Sequence, residues 1–101
     1  MIGLSWYRGQ LVASDALALS LSDRGALLGE GAFETLAVRA GQVQDLDAHL
    51  SRLVACAGLQ GIVLEMDAPD VAAACAAVID ANRLEQSRAG LRLTVTGGAG
   101  T

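Results

Sequence analysis

The sequence predicts an α+β domain, a small antiparallel-rich sheet with two helices on one face. Three observations lead there. Two early stretches alternate apolar and polar residues and close on glycine-containing turns, as hairpins do. Two later stretches carry apolar stripes at helical spacing. A final stretch alternates once more, so the order is β-β-β-β-α-α-β. A chain of 101 residues holds one such domain and not two.

Ile2, Leu4 and Trp6 alternate with Gly3, Ser5 and Tyr7, which predicts a strand over 2–7. Arg8-Gly9 is the turn and Gln10-Leu11-Val12 the return strand. Residues 13–31, rich in Ser, Asp and Gly, are expected to be loop. Ala32 to Arg39 is the next strand, with Glu34, Leu36 and Val38 on one face and Phe33, Thr35 and Ala37 on the other. Ala40-Gly41 turns the chain into Gln42-Val43-Gln44. A helix follows from Asp45 or Asp47, either of which can cap its free amides. Its stripe is Leu46, Leu50, Leu53, Val54 and Ala57, with Gly58 and Gly61 as stops. The second helix opens at Asp67-Ala68-Pro69, a proline the first turn accepts, and ends near 82–84. Its stripe is Val71, Ala74, Cys75, Val78 and Ile79. Leu91, Leu93 and Val95 alternate with Arg92, Thr94 and Thr96 in the clearest strand of the chain. The glycine loop Gly97–Thr101 follows it directly. Domains rarely stop there, so the sequence reads as cut from something longer.

Composition narrows the function. Apolar residues make up 52% and charged residues 18%, which suits a packed core and not a disordered chain. All seven basic residues are arginines, and there is no lysine. No mechanism that needs a lysine, by Schiff base or P-loop, can be completed by these residues. Net charge is −4 with no basic tract, which argues against nucleic acid or an anionic membrane as partner. No run of about 18 apolar residues is present to span a bilayer, and the first residues do not read as a signal peptide. The cytoplasm is the expected location. Cys56 and Cys75 lie among small apolar residues and are expected to be core; neither has a metal-ligand partner, and no metal site is predicted.

Two glycine-rich stretches fail as nucleotide motifs. Gly29-Glu30-Gly31 precedes a strand, whereas the dinucleotide fingerprint follows one. Gly97–Thr101 has no lysine for a terminal phosphate. On the first long helix His49, Arg52 and Cys56 share one edge beside the leucine stripe. An arginine in that position can present its fork to a phosphate.

Three segments are similar to a known family. Ser22-Asp23-Arg24-Gly25 through Gly29-Glu30-Gly31-Ala32-Phe33-Glu34-Thr35 resembles the "DRG…GDGxFET" signature of the class IV aminotransferases. Gly41-Gln42-Val43 through His49-Leu50-Ser51-Arg52-Leu53 resembles their "NGKxxxLxxHLxRL". Leu91-Arg92-Leu93-Thr94-Val95-Thr96 with the glycine loop resembles "LRLTVTRGxGxRG". The resemblance spans nearly the whole chain.

It implies a pyridoxal 5′-phosphate enzyme of fold type IV, of which residues 1–101 would be the small N-terminal domain. The Schiff-base lysine would lie in a second, C-terminal domain, so this chain would hold no catalytic residue and be inactive alone. Arg52 would bind the cofactor phosphate, and His49 would support that helix. Phe33 and Thr35 would face the substrate side, with Glu34 turned away. Asp23, Arg24, Gly29 and Gly31 would shape the loop. Within the family the look is nearest to aminodeoxychorismate lyase, which makes 4-aminobenzoate and pyruvate for folate synthesis. Branched-chain and D-amino acid aminotransferases share the same signatures. A homodimer acting on a small amino or keto acid, or on aminodeoxychorismate, is implied. The competing expectation is a stand-alone binding module without catalysis. Gly97 departs from the pattern, since the family usually has arginine there.

Overall fold

Arg8 and Gly9 both adopt positive φ, 50° and 82°, the two-residue turn whose twist matches hairpin strands. The turn joins β1 (Leu4–Tyr7) to β2 (Gln10–Ala13), with Leu4 opposite Ala13 and Tyr7 opposite Gln10. Ala40 and Gly41, at 48° and 76°, do the same between β3 (Gly31–Arg39) and β4 (Gln42–Val43). This computed structural model describes residues 3–98. Ile2, expected at the head of the first strand, and Ala99–Thr101 of the glycine loop lie outside the described residues.

The expected loop over 13–31 contains a helix, α1 (Arg24–Leu28). Five residues are too few to show a period. The helix is fixed instead at its ends: Asp23 caps it by accepting from the Gly25 N–H, and Gly29 closes it in the left-handed conformation at φ 67°. Gly31, expected to ease the turn, lies within β3. A Cβ there would come 2.7 Å from the Val95 carbonyl oxygen, so close approach is what requires glycine.

The helices α2 (Leu46–Gly58) and α3 (Ala68–Ala81) precede β5 (Arg88–Thr96). Asp67 caps α3 through the Asp70 N–H at 2.9 Å. Asp45 precedes α2 but its side chain makes no cap bond, and its backbone is left-handed at φ 54° where a capping residue is extended. The strands form two sheets and not the single one expected: β1-β2, and β4-β3-β5 with all pairs antiparallel. The hairpin is tied to α3 instead of to a third strand. Asn82 accepts from the Leu4 N–H at 2.8 Å and donates to the Leu4 carbonyl at 2.9 Å, taking the place of a neighbouring strand.

The core lies between the β3–β5 ladder and the helices. Leu36 and Val38 from β3, Leu50, Leu53 and Ala57 from α2, and Val71, Cys75 and Ile79 from α3 are buried. Leu91 and Leu93 of β5 pack against the cluster of Leu50, Val71 and Cys75. Val54 and Cys56 belong to the expected core yet are exposed, since the residues α2 buries are the narrower Leu50-Leu53-Ala57 line. Burial pushes the Cys75 thiol pKa up, as for an unreactive core cysteine.

Candidate functional site

Alternation along β3 sends Leu36 and Val38 into the core and leaves Phe33, Thr35 and Ala37 exposed on the opposite face. Glu34 shares the inner face but sits one turn of the pleat from the core, where α2 passes over the sheet. There it meets the edge of α2 that carries His49 and Arg52, three residues apart. His49 Nδ1 lies 2.7 Å from Glu34 Oε1. A carboxylate only accepts, so Nδ1 carries the proton and donates. Arg52 holds the same carboxylate with one edge of its guanidinium: Nη2 donates to Oε1 at 2.9 Å, and Nε lies 3.1 and 3.2 Å from Oε1 and Oε2. Nη2 also lies 3.3 Å from His49 Nδ1, but a protonated Nδ1 cannot accept from it.

The cluster is graded from inside to outside. Glu34 exposes 12% of its side chain and Arg52 64%, so the carboxylate is the anchor and the guanidinium the reach. Hydrogen bonds from His49 and then Arg52 hold the Glu34 carboxyl below the usual carboxylate range. The Arg52 pKa is raised by the same pairing. Among the five donors of a guanidinium, Glu34 takes those on the Nε edge, and Nη1 has no partner among the described residues on a side chain that is 64% exposed.

A second cluster closes the far end of the ladder. Buried Asp23 accepts from the Gly25 N–H at 2.7 Å and the Thr96 hydroxyl at 3.1 Å. Arg24 donates from its backbone to the Gly98 carbonyl at 2.8 Å and from Nη2 to Glu30 Oε1 at 2.8 Å. These residues lock the loop to the end of β5. A Cβ at Gly97 would come 3.1 Å from Arg24 Cδ, so glycine at this place lets the Arg24 side chain lie across the strand end.

On the exposed face, Arg92 of β5 sits over the Phe33 ring at 4.0 Å from its centroid. Thr94 pairs with Phe33, and Arg92 with Thr35, in the register. An open hollow of about 390 Å³ runs beside them, lined by Phe33, Arg92, Thr94, Thr96 and Leu19. Another of about 450 Å³, between the hairpin and α3, is lined mainly by Trp6, Met66 and alanines and lies away from both clusters. The even-numbered residues of β3 bond to β5, as the Gly97 N–H to Glu30 carbonyl bond fixes. On the other side Gln44 pairs with Ala37, and the Gln60 amide holds both main-chain groups of Gly31 at 2.9 and 2.7 Å. Among the described residues the main-chain groups of Phe33 and Thr35 have no partner, so β3 has an open edge where its two faces meet. Among the described residues there is also no group of side chains placed to hold a metal ion, and no helix long and apolar enough to cross a membrane.

Arg52 and His49 are thus brought together on one edge of α2, and Phe33 and Thr35 on one face of β3. Sequence reasoning missed Glu34 as their link and Arg92 as the neighbour of Phe33. The second was within reach: alternation in β5 and β3 puts both on one face. The first needed the packing of α2 on β3.

The sequence profile of the amino-transferase class IV family matches residues 31–101. The chain belongs to that family. It is 29% identical over 92 residues to a D-alanine aminotransferase from Bacillus licheniformis, covering 91% of this chain and 32% of that protein. Its fold superposes on the pyridoxal-phosphate-bound form of a hypothetical aminotransferase from Mycobacterium tuberculosis. There the TM-score is 0.79 at 29% identity, covering 95% of this chain and 34% of the other. A candidate 4-amino-4-deoxychorismate lyase from Legionella pneumophila gives 0.78 at 26% identity, covering 87% and 32%. The chain spans about a third of the length of these relatives.

Proposed function

We propose that this chain is the N-terminal domain of a longer, homodimeric cytoplasmic enzyme that uses pyridoxal 5′-phosphate, with a second domain supplying the lysine absent here. The observation that carries the reading is Arg52: a guanidinium with one edge held by Glu34 and the other exposed, on the helix packed against the strand of Phe33 and Thr35. That donor set fits a phosphate, which a planar fork takes by two charge-assisted hydrogen bonds. When bound, the cofactor acts as an electron sink for the carbon next to the amino group. The residues of this chain bind and orient. Arg52 holds the phosphate, His49 keeps α2 against β3, and Phe33 and Thr35 line the substrate side. Arg92, beside Phe33 on the same face, offers a cation to a substrate carboxylate.

Within the class the proposed reaction is the lyase one, aminodeoxychorismate giving 4-aminobenzoate and pyruvate. The Legionella likeness supports it. The D-alanine aminotransferase likeness favours a second reading, transamination of a D-amino acid. The full-length enzyme supplied with aminodeoxychorismate releases 4-aminobenzoate under the first reading. Under the second it converts D-alanine and α-ketoglutarate and leaves aminodeoxychorismate intact.

Arg52→Ala in the full-length enzyme is expected to weaken pyridoxal phosphate binding about ten- to a hundredfold, the range for losing hydrogen bonds to a charged group. Arg52→Lys restores part, since an ammonium keeps the charge and loses the fork. Arg39→Ala, at the exposed end of β3, is the control. Cofactor titration followed by absorbance reads all three, and wild-type affinity in Arg52→Ala would overturn the assignment.

A further inference from the structure

We propose that Glu34 is the positioning residue for Arg52, setting which edge of the guanidinium faces an incoming phosphate, with His49 as its brace. This rests on the reading of Arg52 given above. Arg52 stands on the outside of α2 with 64% of its side chain exposed, and such a side chain samples many rotamers. Here it does not have that freedom. Nε and Nη2 both close on the Glu34 carboxylate, and that carboxylate is fixed in turn by His49 Nδ1 at 2.7 Å. Glu34 is itself anchored in β3, between Leu93 on the partner strand and the core residue Leu36. The chain of contacts runs from a rigid strand, through one carboxylate, to the cation.

Charge alone gives no reason for this arrangement. A carboxylate beside a guanidinium cancels part of its pull on an anion, so an acidic residue here would be a poor choice if attraction were all that mattered. What Glu34 supplies is geometry. It occupies the Nε edge side-on and leaves the Nη1 edge as the one pair of parallel donors for a phosphate. Binding then costs little of the side-chain ordering that a free arginine would have to lose.

The test separates reach from charge. Glu34→Asp keeps the charge and shortens the side chain by one methylene, so it no longer spans to both partners. Glu34→Gln keeps the reach and an acceptor oxygen and loses the charge. Apo forms of the full-length enzyme are titrated with pyridoxal phosphate, and the phosphorus NMR signal of the bound cofactor is recorded. Positioning predicts that Glu34→Asp and Glu34→Ala weaken binding about two- to tenfold, the cost of ordering one flexible side chain. It predicts Glu34→Gln within about twofold of wild type, with an unshifted phosphorus signal. In the Arg52→Ala background the same Glu34 changes should have no further effect, because Glu34 acts through Arg52. Tighter binding in Glu34→Gln, with Glu34→Asp like wild type, would show a charge effect and overturn the proposal. So would an additive double variant. If Arg52→Ala weakens binding while Glu34→Asp and Glu34→Ala do not, the phosphate assignment stands and the positioning role falls. If Arg52→Ala binds like wild type, both fall. Glu34→Asp, a conservative change on a partly exposed side chain, keeps the test decisive should Glu34→Ala fail to fold.

Discussion

Leu36 and Val38 leave β3 on one side and expose 0% and 1% of their surface; Phe33 leaves it on the other side and exposes 55%. The same strand, in one register with β5, therefore carries a finished face and an unfinished one. On the finished face α2 and α3 cover the leucines, and the acidic residue on the inner side of β3, Glu34, is matched by two cationic or polar partners from α2. On the open face Arg92 stacks on Phe33, and Thr94 and Thr35 stand opposite Phe33 and Arg92 in the register. The comparison separates side chains whose partners lie inside the domain from those, Phe33 and Arg92, that are left largely in water. Among the described residues Arg92 has no acidic partner, and an exposed Phe beneath it contributes little to folding.

The largest contrast comes from truncating one residue of the finished face. Leu36→Ala removes a fully buried side chain from the centre of the ladder. It is expected to cost about 2–5 kcal/mol of unfolding free energy, from lost transfer energy plus the cavity left behind. Denaturant unfolding of the chain measures it. A cost below about 1 kcal/mol would mean the helices collapse into the gap and the core is looser than its burial indicates.

How much of this was legible in the sequence follows the same division. The finished face was readable because burial imposes a period: Leu36 and Val38 in β3, Leu50 and Leu53 in α2, Val71, Cys75 and Ile79 in α3. Both long helices and the central strands begin and end within a few residues of where the pattern puts them. What had no period was not readable. The helix α1 is held by Asp23 and by Thr96, 73 residues away, with Gly25 fitting against Thr96 where a Cβ would come within 2.5 Å of its methyl. The hairpin stands apart from the main sheet and is tied to α3 by the Asn82 amide, and alternation in β1 is the same in either arrangement. At the site, the spacing of His49 and Arg52 revealed their shared edge. Their common partner Glu34 is a tertiary contact. The one local hint was an acidic residue on the inner face of a strand, where a carboxylate needs cations.

A second, smaller effect bears on the polar part of the finished face. The Glu34 carboxyl titrates below its ordinary value of 4.5 because His49 and Arg52 stabilise the charged form. A carboxyl whose folded pKa is depressed contributes stability above its unfolded pKa and loses it as pH falls through the folded one. Glu30, lowered by Arg24, acts in the same sense. Thermal unfolding is therefore expected to be insensitive to these groups near neutrality and to weaken as pH drops from 4.5 downward. Glu34→Gln should flatten part of that acid limb. Glu30→Gln should flatten another part, independently, because the two pairs share no residue. An acid limb unchanged in both variants would show that neither pair survives in solution.

The smallest expected effect is on the open face, and its smallness is the point. Phe33→Ala removes the largest side chain of that face, but 55% of the residue is already exposed, so less apolar area is lost from burial than at a core position. The stacked Arg92 is its principal partner, and an exposed cation–π contact is worth about 0.5–1 kcal/mol. Denaturant unfolding of this chain should register a loss of that order, several times below that of Leu36→Ala although phenylalanine is the bulkier residue. If the proposed roles hold, the same substitution in the full-length enzyme is expected to act on substrate instead of on folding: KM for the amino substrate rises while the affinity for pyridoxal phosphate, which the proposal assigns to Arg52 on the other side of the strand, changes little. If Phe33→Ala and Leu36→Ala cost the chain alike, the open face is packed in solution and the division between the two faces fails. If it loosens the cofactor as much as Arg52→Ala does, Phe33 belongs to the phosphate site and the two faces of β3 serve one contact.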